Sequence, residues 1–367
     1  MGYNKTLIML PGPTNVADEV LEAMKESVIN HRGEDFHKLY NEIQDLLKYV
    51  YQTENFIATL SSSGTGGVEF AVTNFIRKND KVITYTAGEF SERMYEKIKS
   101  VGAEVIRIKK DLGDTMSFDD FMNVLDDNRD ATCLAIVFNE TSTGTSVWDL
   151  EKILKVAKEK GMLTIVDSVS ALGGVDLPTD RLGIDVHITG SQKCLACPPG
   201  LAFVSVSKEA IKKNEGISNY GYFDLKSYLK FHEKKETPYT PALPLFFALR
   251  ASLRKIKEEG LDNVFQRHKR CSDMLYSFAA KEKLEIFPKE YARSLTVVAM
   301  KTPQDKKASD IVNIMRREHN IEIAKGFGEL NEKVIRVGCM GIINEKIVEK
   351  TTQALKITME KIKSIPS

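Results

Sequence analysis

Between residues 55 and 206, short apolar runs alternate with amphipathic stretches, and this alternation limits the possible folds more than any other feature of the chain. Residues 56–60, 81–85, 105–108, 133–138, 163–166, 187–189 and 201–206 read as strands, and 68–76, 89–101 and 150–160 as helices. The last of these helices closes at Gly161 and carries Lys155, Lys158 and Lys160 near its negative end, where cations are favoured. Apolar strands separated by helices predict an α/β fold with a mainly parallel, seven-stranded type of sheet covered on both faces. Residues 212–244 break the rhythm: they are rich in Tyr, Lys, Gly and Pro and read as a long irregular segment. Helical patterns at 245–257 and 262–283 come next. Strand-like 295–300, helical 309–319, strand-like 321–324 and 334–337, and a last helix from Asn344 complete a smaller α+β unit. The expected division is an N-terminal segment 1–15, a large domain 16–245 and a smaller C-terminal domain 246–367.

A chain of 367 residues with 42% hydrophobic residues can bury a sizeable core. The formal net charge of +1 points to neither nucleic acid nor an anionic membrane as partner. No apolar run approaches the ~18 residues of a membrane span. The start matches the myristoylation pattern at Gly2 and Thr6 but reads as a chance match, since residues 7–10 look like buried chain. The final Ile-Pro-Ser is not a peroxisomal address. Five scattered cysteines, an odd number, suit a reducing, cytoplasmic setting. Cys194 and Cys197 form a C-x-x-C with neither a second ligand pair nor a thioredoxin-like context, and read as packing thiols.

Four loops follow strands and, in a parallel sheet, would share the carboxyl edge where such sheets bind ligands. Ser61-Ser62-Ser63-Gly64-Thr65-Gly66-Gly67 offers hydroxyls, backbone N–H groups and a helix N-terminus, a phosphate-binding combination. No Gly-Lys-Ser/Thr follows, and glycines at 64, 66 and 67 do not fit the G-x-G-x-x-G of a dinucleotide fold, which disfavours a dehydrogenase. Asn139-Glu140-Thr141-Ser142-Thr143-Gly144 could present hydroxyls to a polar ligand, and taken alone is a capped loop. Asp167-Ser168-Val169-Ser170 puts a carboxylate at the mouth of a buried strand, where it serves either as a helix cap or as the partner of a buried cation. Gly190-Ser191-Gln192-Lys193 carries a lysine that becomes nucleophilic if the fold desolvates it.

Together with Pro11-Gly12-Pro13-Thr14-Asn15, Pro198-Pro199-Gly200 and Val334-Ile335-Arg336-Val337-Gly338, these segments resemble, in the same order, the fold-type I enzymes that use pyridoxal 5'-phosphate (PLP). The similarity is to the class V aminotransferases of the alanine–glyoxylate and serine–glyoxylate or serine–pyruvate kind. It implies a ping-pong transfer of an amino group from a small amino acid to a small 2-oxo acid. It further implies that Lys193 bonds the cofactor and shuttles the Cα proton, and that Asp167 pairs with the pyridine nitrogen. Ser63, Gly64, Thr65 and Gln192 would bind the phosphate, Thr141 would hydrogen-bond near the ring and Phe90 would stack on it. Arg336 would grip the substrate carboxylate, with Gly12 beside it. The resemblance also implies a homodimer with shared active sites, in which Tyr239 and Thr240 reach the phosphate of the other subunit.

Other class V chemistries are alternatives. Cysteine desulfurases carry His before the lysine and a cysteine on a mobile loop, whereas this chain has Gln192, and Cys339 lies close behind Arg336. Phosphoserine and aminoethylphosphonate aminotransferases need further cations, and none is identified in this sequence, although His31 and Arg32 near the N-terminal segment keep that alternative open. A non-catalytic PLP-fold binding protein is disfavoured by the presence of Lys193, Asp167 and Arg336 together.

Overall fold

The computed structural model describes residues 6–217 and 221–364. Gly2 and the final Ile-Pro-Ser lie outside the described residues.

Seven strands form the central sheet: β1 (Phe56–Leu60), β2 (Lys81–Thr86), β3 (Glu104–Lys109), β4 (Cys133–Val137), β5 (Leu163–Asp167), β6 (Val186–Gly190) and β7 (Ala202–Val206). Their order across the sheet is β1-β7-β6-β5-β4-β2-β3. All pairings are parallel except those of β7, which runs antiparallel to both β1 and β6. The loops after β1, β4, β5 and β6 therefore do open at one edge. Every residue of β4, β5, β6 and β7 is buried, as expected when helices cover both faces.

Two helices beside this sheet start at its carboxyl edge: α2 (Gly64–Phe75), after β1, and α3 (Glu89–Ser100), after β2. The first packs on β6 through Gly67, whose added Cβ would lie 2.9 Å from the Ile188 side chain, so a larger residue would push the helix off the sheet. On the other face lies α1 (Glu34–Tyr51), an 18-residue helix absent from the sequence-based expectations. Phe36, Ile43, Leu47 and Tyr51 on it are fully buried, each stabilising by ~1.5–3 kcal/mol. The segment 212–244 is less irregular than its composition suggests, because Asp224 caps a helix at Leu225–His232 that packs its Tyr228 into the core.

A second, three-stranded sheet has the order β8 (Val297–Lys301), β11 (Val334–Gly338), β10 (Ala324–Lys325), all antiparallel. The single strand expected at 321–324 is two. Residues Ile321–Glu322, labelled β9, pair in parallel with Leu7–Ile8, while β10 turns into the other sheet. The N-terminal segment continues across the end of β11, where the Gly338 N–H donates to Met9 O at 2.7 Å. A side chain at Gly338 would collide with the Leu10 backbone, so only glycine permits this crossing. The crossing delivers Pro11 and Gly12 to the carboxyl edge of the central sheet. No helix among the described residues is long and apolar enough to cross a membrane.

Candidate active site

The four loops enclose a cavity of about 480 Å³ at that edge, lined by Ser63, Gly64, Thr65, Phe90, Thr141, Asp167, Gln192 and Lys193. A larger surface depression of about 820 Å³, formed by residues 45–54 and 260–263, contains none of the sequence motifs.

Lys193 is buried, and its amine donates to the carbonyl of Pro11. Burial, reinforced by the nearby Arg336 charge, pulls its pKa down to about 8. Gly12 lies against the lysine stem, where an added Cβ would come within 2.6 Å of Nζ. Asp167 ends β5 with its carboxylate accepting from Val169 N at 2.8 Å. Burial, with a smaller push from the Glu140 charge, raises its pKa to about 6. The turn behind it is pinned by His187 on β6, whose ring nitrogens bond Ser168 Oγ at 2.7 Å and Thr179 Oγ1 at 2.8 Å. Burial drives the His187 pKa down to about 3, so the ring is a neutral prop.

Arg336 sits mid-strand in β11, buried, with Nε donating to Lys325 O at 2.8 Å and Nη1 to Thr141 O at 2.9 Å. Its guanidinium lies under the Phe327 ring, 4.5 Å from the centroid. Burial lowers its pKa to about 10, opposed by the Glu140 charge, which leaves it cationic at neutral pH. Thr141 thus has two connections: its backbone carbonyl to Arg336, and its hydroxyl to Ser170 Oγ at 2.8 Å.

Glu140 has no role that its motif alone suggests, yet it organises one wall. Fully buried, its carboxylate accepts from Phe90 N (3.2 Å), Ser91 N (2.8 Å), Ser91 Oγ (2.8 Å), Ser142 N (3.1 Å) and Ser142 Oγ (2.6 Å). It caps the first turn of α3 in place of a conventional N-cap side chain, since Gly88 supplies none. The first turn carries Phe90 into the cavity, edge-on to Phe327 at 6.0 Å between centroids. A motif string could not reveal this capping, because the α3 donors lie about 50 residues away in sequence.

Tyr239 and Thr240 do not line the cavity of their own chain. Tyr239 stacks on Tyr222 at 4.5 Å, and both are exposed. The segment nonetheless runs beside the first loop, with Ala242 N donating to Ser61 Oγ at 3.4 Å. Arg32 is absent from the cavity lining and is bound instead to Glu236 (2.6 Å), Thr237 O (2.7 Å) and Pro238 O (3.1 Å). Cys339 is buried, with its thiol directed at His268 O, and is not on an exposed loop. Cys194 and Cys197 are likewise buried and free.

The cavity suits PLP on three grounds. Gln192 Oε1 is buried with no hydrogen-bond partner among the described residues, so the amide is not committed within the fold and its NH2 end is the part that can donate to an anion. The Ser63 hydroxyl, at the N-cap of α2, is not used to cap the helix, which leaves a hydroxyl and a helix N-terminus for an anion. A buried carboxylate and a desolvated amine face one space from neighbouring strand ends.

A central parallel sheet with a buried lysine at its carboxyl edge defines a fold-type I α/β architecture with an amine-bearing site. Residues 9–335 match the aminotransferase class-V family, and the chain belongs to it. An uncharacterized aminotransferase of Methanocaldococcus jannaschii is 39% identical, over 98% of this chain and 94% of that one. A serine–glyoxylate aminotransferase of Methylorubrum extorquens is 32% identical, over 92% of this chain and 87% of the relative. Among solved structures, an alanine–glyoxylate aminotransferase from Nostoc superposes with a TM-score of 0.92 at 33% identity, covering 98% of this chain and 96% of the other.

Proposed function

We propose that this chain is a PLP-dependent aminotransferase that moves an amino group from alanine or serine to glyoxylate or pyruvate by a ping-pong mechanism. The observation that carries the reading is that Lys193 and Asp167 line one cavity, with Arg336 bonded to the cavity-lining Thr141 and close enough for its charge to act on Lys193, in a class V aminotransferase chain. Over the full cycle the donor amino acid would become its 2-oxo acid and the acceptor 2-oxo acid would become an amino acid.

Bound PLP supplies a sink for the electron pair left on the substrate Cα. The protein supplies the rest. Ser63, Gly64 and Thr65, with the α2 N-terminus and Gln192, hold the phosphate. Phe90 and Thr141, both lining the cavity, would hold the ring, Phe90 by packing and Thr141 by a hydrogen bond. Asp167 keeps the ring nitrogen protonated, a use that offsets the cost of burying its charge. Lys193 would hold the cofactor through its amine, and that amine, placed at the substrate Cα, would carry the Cα proton. Arg336 offers its remaining N–H groups to the substrate carboxylate beside Gly12. In this reading residues 16–245 bind the cofactor, 246–367 hold the carboxylate, and 1–15 close the site between them. The chain works as a homodimer in which the same Tyr239–Thr240 segment, contributed by the second copy, completes the phosphate site. The exposure of the segment and its absence from the cavity of its own chain support this.

A donor-by-acceptor screen of the purified, cofactor-loaded protein tests the reading. Alanine or serine alone should convert the cofactor's absorbance to that of its amino form, and glyoxylate or pyruvate should restore it. No conversion with any of these pairs would sink the substrate assignment. Arg336→Ala is expected to raise KM for both the amino and the oxo acid by roughly 10- to 100-fold, the worth of a charge-assisted pair of hydrogen bonds. Unchanged affinity for both would remove Arg336 from the site.

A further inference from the structure

Phe327 is a large apolar side chain with 37% of its surface exposed, set between Gly326 and Gly328 in a loop that no motif covers. The flanking glycines leave little freedom. A Cβ at Gly326 would run into the Leu330 backbone, and Gly328 has φ +49°. The Gly326 N–H is tied to Val334 O at 2.8 Å, and Phe327 O accepts from Leu330 N at 2.8 Å. The loop therefore presents the part-exposed Phe327 ring in one attitude, with its centroid 4.5 Å from the Arg336 guanidinium carbon.

Arg336 has five N–H donors in one plane. Its bonds to Lys325 O and Thr141 O fix two points of that plane, and hence a line about which the group can still tilt. The Phe327 ring, with the guanidinium carbon over it at 4.5 Å, supplies the third contact and limits the tilt. The same ring meets Phe90 edge-on, at 6.0 Å and 89°. On its far side is an open cleft of about 430 Å³, also lined by Leu112, Ser142 and Glu329, from which the ring screens the cation. Excluding that water strengthens any ion pair the guanidinium makes.

We infer that Phe327 is a positioning residue of the carboxylate clamp: its ring face fixes the plane of Arg336 for substrate and its edge ties the clamp to Phe90. The inference rests on the proposed role of Arg336 as the substrate's carboxylate ligand. It assigns Phe327 to binding the carboxylate common to donor and acceptor, not to the chemical step.

The test compares Phe327→Tyr, Phe327→Leu and Phe327→Ala in the cofactor-loaded enzyme, with two readouts. One is KM and kcat for donor and acceptor. The other is the Kd of propionate, an unreactive carboxylate, read from its effect on the cofactor absorbance. The Leu and Ala variants should raise both KM values and the propionate Kd by roughly tenfold, as expected for loss of a partly desolvated cation–π contact, with kcat little changed. The Tyr variant, which keeps the ring face, should behave as wild type. A Leu variant that binds propionate as tightly as wild type overturns the inference. So does a set of variants that lose kcat and cofactor absorbance together, the mark of a merely structural ring. If the Ala variant fails to fold, the Tyr and Leu pair decides. A wild type that binds propionate yet transfers no amino group overturns the proposed function instead, and leaves the Phe327 comparison to be read from Kd alone.

Discussion

Lys193→Ala is expected to lose amino transfer by about 10⁴-fold, because a positioned proton carrier alone contributes about 10²–10⁴ and covalent attachment is lost as well. Borohydride should fix the cofactor to wild-type Lys193 and to no residue of the variant. The environment of the lysine adds a pH signature. Burial brings its pKa from the usual 10.5 to about 8, so in the cofactor-free protein the neutral, nucleophilic amine becomes the main form above that pH. The rate at which the apoprotein captures PLP should climb with pH through about 8 and then level off. A variant within tenfold of wild-type activity would remove Lys193 from the mechanism.

Asp167→Asn should lower kcat by roughly 10²–10³, the scale seen when one pre-organised electrostatic group is removed from a reacting centre. The substitution keeps the size of the side chain and removes its charge, so the ring nitrogen loses the anion that holds its proton. Burial raises the Asp167 pKa to about 6 before any cation arrives. Lowering the pH through that value neutralises the carboxylate, so cofactor affinity should weaken in wild type as pH falls below about 6. The Asn variant should lack this dependence. An Asn variant with an undiminished rate and an unchanged cofactor spectrum would assign Asp167 to capping its own turn through Val169 N.

Much of the central sheet is legible in the sequence because its strands are short, apolar and bounded by turn residues. The apolar run 56–60 coincides with the observed strand, and the runs 81–85 and 163–166 each end one residue before theirs. The four loops meet at one edge because β1, β4, β5 and β6 are mutually parallel, whatever the direction of β7. Residues 321–324 mislead because two tight pairings, one to Leu7–Ile8 and one to β11, share a single apolar run. The segment around Leu225–His232 hides a helix because its neighbours are rich in Gly, Lys and Pro. The site is legible where chemistry is written in a local string, as at Gln192-Lys193. It is illegible where the contact is made across the fold: Glu140 to the first turn of α3, His187 to Ser168, the Pro11 carbonyl to Lys193 and Phe327 to Arg336. Windowed periodicity sees one segment at a time and carries no information on such pairs.

The strap formed by residues 7–12 also has a consequence for how the chain matures during synthesis. It docks on β9 and on Gly338, which leave the ribosome more than 300 residues after it does. The central sheet needs only residues 56–206 and can form while the strap hangs loose, so the first of these segments to be made is among the last to be seated. Until then Lys193 lacks the carbonyl that holds its amine. The nascent protein therefore reaches a folded core well before it has a finished catalytic pocket.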